Sequence, residues 1–88
     1  MSQNYPNPSN PSSKIDYQIP FSGKVNLVVY DLLGREVFKL VKDELKEAGY
    51  YTAVFNGSSL ASGVYFYRIT SESEGQNFSK TIKLILVK

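Results

Sequence analysis

Val25-Asn26-Leu27-Val28-Val29-Tyr30-Asp31-Leu32-Leu33-Gly34-Arg35-Glu36-Val37 decides how this chain folds. Val25, Leu27 and Val29 alternate with Lys24 and Asn26, the period-two pattern of a strand with one face in a core. Val28 and Tyr30 add apolar bulk to the second face, which suits a more central strand. Asp31 fits the first position of a type I turn. Gly34 fits the left-handed position that closes a hairpin with a bulge. Arg35 to Val41 is then the return strand.

The same period continues on both sides. Ile15, Tyr17 and Ile19 alternate with Lys14, Asp16 and Gln18, and Pro20 to Gly23 makes a turn. Lys42 to Ala48 is the one place where a helical turn is conceivable. Seven residues do not sustain an isolated helix, so this stretch is expected to be a loop. Gly49 opens a strand over Tyr50 to Phe55. Asn56 to Gly63 reads as a crossing connection with Leu60 tucked into the core. Val64 to Thr70 is rich in β-prone residues. Ser71 to Gln76 is a polar hairpin loop, and Phe78 to Val87 is the last strand, with Phe78, Ile82, Leu84 and Leu86 on one face and Lys80 interrupting it. Six strands plus an extended first segment, with turns about every 8 to 12 residues, predict an all-β antiparallel sandwich or barrel. Tyr65-Phe66-Tyr67, just after a loop, resembles the strand start that carries a tyrosine corner in immunoglobulin-like sandwiches, where a hydroxyl reaches back to a loop carbonyl, so the expected fold is an all-β, immunoglobulin-like antiparallel β-sandwich of six to seven strands.

Residues 4–13 read Asn-Tyr-Pro-Asn-Pro-Ser-Asn-Pro-Ser-Ser. Each Pro fixes its own φ and pushes the residue before it toward extended conformations. Residues 1–13 are expected to be an extended lead-in and first edge strand, and residues 14–88 the sandwich.

Composition narrows the function. The 88 residues contain no His, Cys or Trp, so disulfides, thiolate catalysis, Cys-based zinc sites and imidazole proton transfer are excluded. A net charge of +2 with scattered basic residues does not point to nucleic acid or an anionic membrane. Ser58, Ser59 and Ser62 have no His to activate them. Glu44 and Glu47 are close in sequence, yet no aromatic cleft frames them as a glycosidase pair. Asp31 with loop carbonyls resembles a calcium ligand set, but its turn role explains it. No catalytic, metal or cofactor site is expected. Tyr50, Tyr51, Tyr65 and Tyr67 are a candidate sugar platform. Their competing role is to fill a core that has no Trp.

Four blocks then become specific. They are Asn4 to Ser12, Val29 to Val37, Leu60 to Arg68 and Lys83 to Lys88. In this order and spacing they resemble the type A C-terminal sorting domain of type IX secretion, carried by cargo proteins of Bacteroidota. Ser9 stands where that family often has Phe, Ser13 where Thr is common, and the Lys42 to Ala48 stretch matches no family motif. The resemblance implies a non-catalytic, immunoglobulin-like signal domain on a larger exported protein. Its implied partners are outer-membrane translocon components, an upstream cargo domain and a sortase-like cysteine peptidase cutting at the N-terminal boundary. Its implied route is periplasmic transit followed by delivery to the cell surface or medium. The polar N-terminus is no signal peptide, so the chain reads as a fragment. The candidate recognition residues are Asp31, Gly34 and Arg35 on the first hairpin, Gly63 and Tyr65 on the strand after the crossing, and Lys83, Leu84, Leu86 and Lys88 on the last strand. The hairpin and the Gly63-Val64-Tyr65-Phe66-Tyr67-Arg68 run also resemble the immunoglobulin-like domain of flagellar-hook capping proteins. A structural spacer or a carbohydrate-binding accessory module is therefore the alternative.

Overall fold

A computed structural model describes residues 12–57 and 60–87 of the chain. Six strands run in order: β1 Ser12–Ile19, β2 Gly23–Tyr30, β3 Glu36–Lys46, β4 Gly49–Asn56, β5 Gly63–Ser73 and β6 Gln76–Leu86. They form two antiparallel sheets, a smaller one of β1 and β4 and a larger one ordered β3-β2-β5-β6. Two hairpins, β2–β3 and β5–β6, build the larger sheet. The other three connections pass from one sheet to the other. This is the sandwich that the alternation predicts.

The core follows from the period of two. Val25, Leu27 and Val29 on β2 are fully buried, and Tyr65, Tyr67, Ile69 and Ser71 on β5 point to the same interior. Ile15, Tyr17 and Ile19 face them from β1. Each aliphatic side chain so buried contributes about 1.5–3 kcal/mol relative to exposure. Phe38 and Phe55 meet across the sheets with ring centroids 5.5 Å apart, and Tyr17 stacks on its cross-strand partner Tyr51 at 5.6 Å. Leu60 packs against the core, as expected of the crossing connection.

The structure departs from the sequence reading at Lys42 to Ala48. This stretch is not a loop: β3 runs on to Lys46 and pairs with β2 as far as Gly23. The strand tolerates it through a bulge. Asp43 adopts φ +48°, and Asn26 of β2 braces it from both sides. The Asp43 amide donates to Asn26 Oδ1 at 3.0 Å, and Asn26 Nδ2 donates to Asp43 Oδ1 at 3.2 Å. Only Glu47 and Ala48 separate β3 from β4. Of the expected lead-in, residues 1–11 lie outside the described residues; Ser12 and Ser13 already belong to β1.

Candidate functional site

Asp31 organises the β2–β3 hairpin. Its carbonyl accepts from the Gly34 amide at 3.0 Å, and its own amide donates to the Arg35 carbonyl at 2.9 Å. Its Oδ1 accepts from the amides of Leu33 and Arg35, each at 2.9 Å, and Oδ2 accepts from Arg35 Nε at 2.9 Å. Gly34 takes φ +86°, a conformation that a side chain opposes. The Arg35 amide, foremost, holds the Asp31 carboxyl below the usual carboxylate range; partial desolvation opposes this, and the Arg35 guanidinium and the Leu33 amide reinforce it. The turn is thus fixed by one residue through five hydrogen bonds.

The crossing connection ends beside that hairpin. Gly63 starts β5 at φ +155°, again a value that favours glycine. Tyr65 Oη donates to the Ala61 carbonyl at 2.6 Å, the tyrosine corner expected from the sequence. Asp31, Arg35, Gly63 and Tyr65 line one shallow cleft together with Leu32, Leu33, Ser62 and Val64. Gly34 lies at the tip of the same hairpin.

The last strand completes this end of the larger sheet. Leu86 pairs with Gly63, Leu84 with Tyr65 and Lys83 with Phe66. Leu86 is buried and Leu84 packs on the core, whereas Lys83 is exposed on the outer face. Lys88 lies outside the described residues. Eight of the nine candidate residues are therefore described, and all eight belong to one end of one sheet, although they come from three distant stretches of sequence.

Sequence reading missed the side chains most displayed there. Leu32 and Leu33 at the hairpin tip are 67% and 77% exposed, and Ile85 and Val87 are 62% and 76% exposed. The signal was present in two adjacent leucines inside a tight turn, which have no core to enter.

The chemistry elsewhere is structural. Tyr65 and Tyr67 are buried, and the Tyr51 hydroxyl donates to the Glu47 carbonyl at 2.6 Å, so of the four candidate platform tyrosines only Tyr50 stands well clear of the protein. Glu44 pairs with Lys46 at 3.6 Å. Ser58 and Ser59 lie outside the described residues. A separate cavity of about 420 Å³ opens between the edges of β1 and β6, lined chiefly by Tyr17, Ile69, Phe78 and Ile82 with Asp16 and Lys80 at its rim.

Comparison with protein families matches residues 3–86 to the secretion system C-terminal sorting domain. The chain belongs to that family. Sorting domains of this kind are the C-terminal signals of type IX secretion, a non-catalytic role that implies contact with the secretion machinery and a cargo upstream. They imply export to the cell surface or the extracellular space. No curated protein and no solved structure matches this sorting domain. The family match favours the signal reading over the spacer or carbohydrate-binding alternative.

Proposed function

We propose that the sorting domain is recognised at the end of the larger sheet where its motif blocks meet, and that it carries out no chemistry of its own. The observation that carries this reading is the convergence of Asp31 to Arg35, Gly63 to Tyr65 and Lys83 to Leu86 on one end of the fold. Roles divide by burial. Asp31, Gly34, Gly63 and Tyr65 shape the backbone, Leu84 and Leu86 anchor β6 to the core, and Lys83 and Arg35 face the partner. Among the described residues β6 is an edge strand, with β5 on one side only. Its open backbone suits strand addition by a translocon component. Lys88 belongs to the same proposed contact.

The route we propose runs through the periplasm to the outer membrane, where a sortase-like cysteine peptidase cuts near the N-terminal boundary and frees the cargo. We assign the residues before β1 as the lead-in between cargo and sandwich, with Ser12 and Ser13 already in the sandwich.

The test is a reporter fused upstream of the domain and expressed in hosts with and without type IX machinery. Export is expected only with the machinery, and deletion of Leu84 to Lys88 is expected to abolish it. Undiminished export of the deleted fusion would remove β6 from the recognition mechanism.

A further inference from the structure

The larger sheet presents an outer face that the core does not use. By register, Tyr30 of β2, Phe66 of β5 and Lys83 of β6 lie in one cross-strand row, with Val64 and Ile85 paired in the row nearer the hairpin end. Leu32 and Leu33 share the cleft with Val64. Val28 on this face is only 7% exposed yet belongs to no part of the interior cluster, so the face already buries apolar surface of its own. Of the seven strongly exposed large apolar side chains among the described residues, Leu32, Leu33, Ile85 and Val87 gather at this end. Contiguous apolar surface of this kind marks interaction sites.

Basic side chains predominate around the patch. Arg68 lies 5.2 Å over the Tyr30 ring, and Lys83 and Lys39 flank the same face. None of these three cations has an ion-pair partner among the described residues, and Glu36 is the acid paired opposite Tyr30. The hairpin that displays Leu32 and Leu33 is held by the Asp31 hydrogen bonds, so these leucines need little ordering on contact, which favours affinity.

Resting on the sorting function proposed above, we infer that this outer-face patch, centred on Leu33, Phe66 and Ile85, docks a protein of the secretion machinery whose contact surface is apolar at the centre and acidic at the rim. The acidic rim follows from the unpaired Arg68, Lys83 and Lys39. The apolar centre follows from the leucine tip and the Phe66–Ile85 surface. This contact is made by side chains on a face, and is distinct from strand addition at the β6 edge.

Upstream reporter fusions carrying Leu33→Asp, Ile85→Asp or Lys83→Glu test it, with Val54→Asp on the smaller sheet as control, since Val54 is 61% exposed and far from the patch in the topology. Circular dichroism melts of the isolated 88-residue chain establish that each variant folds. The expected result is a loss of exported reporter of about tenfold or more for Leu33→Asp and Ile85→Asp, a smaller loss for Lys83→Glu, and no change for Val54→Asp. Folded Leu33→Asp and Ile85→Asp variants exported within about twofold of the unaltered fusion would overturn the inference while leaving the sorting function standing. Failure of the unaltered fusion to be exported would bring down the sorting function and this surface with it. Binding of the chain to anionic phospholipid vesicles, lost in Leu33→Asp, would overturn the inference in favour of a membrane contact.

Discussion

At the scale of single residues, Asp31 and Tyr65 do the most local work. Asp31 has its pKa lowered in the folded protein, so the stability it contributes is present above the unfolded carboxylate value of 3.8 and is lost as pH falls through the lower, folded value. The gap in melting temperature between the native chain and Asp31→Asn is therefore expected to be widest near neutral pH and to close as the pH falls below 3.8 and through the lower, folded value. Thermal melts across that range check it; a gap that stays constant would show that the charge on Asp31 plays no part. Tyr65 ties the start of β5 to the crossing connection through one hydroxyl, and its ring is buried. Tyr65→Phe keeps the ring and removes the bond, at a cost of about 1 kcal/mol, or about 4–8 °C in melting temperature for a domain of this size. An unchanged melting temperature would mean that the hydrogen bond adds no net stability. Both roles were legible in sequence, because each depends on residues within four positions.

At the scale of strands, β1 and β2 were readable from their alternation and β5 from its β-prone residues. β3 beyond Val41 was not. Its run Lys-Asp-Glu-Leu-Lys has no apolar alternation, since it lies on an edge with Leu45 83% exposed. What holds it is Asn26, seventeen residues away, bracing the Asp43 bulge. A side chain reaching across a sheet leaves no mark on local pattern.

At the scale of the molecule, the antiparallel sandwich was legible from strand count and turn spacing. The division into a sheet of two and a sheet of four was not, because the β1–β4 and β2–β5 pairings join strands that are distant in sequence. The recognition end was half legible. Its backbone-shaping residues announced themselves through turn chemistry, while the outer patch depends on which face of β2 and β5 turns outward. On β2 the alternation with Lys24 and Asn26 already marked Val28 and Tyr30 as the second face, whereas on β5 Val64 and Phe66 against Tyr65 and Tyr67 make both faces apolar, so the run alone did not separate them. Only the register shows that Tyr30 and Phe66 lie side by side on the side away from Val29 and Tyr67.

The unequal sheets also decide how the domain bears a load. Tension arriving from an upstream cargo enters at Ser12 and is carried first by β1, which the described residues hold at one flank, along β4. Along the backbone it reaches the four-stranded sheet after Ile19 and the short turn to Gly23, while Ile15, Tyr17 and Ile19 share it through the core. The smaller sheet is therefore expected to act as a mechanical fuse, giving way under traction before the end bearing Asp31, Tyr65 and Ile85.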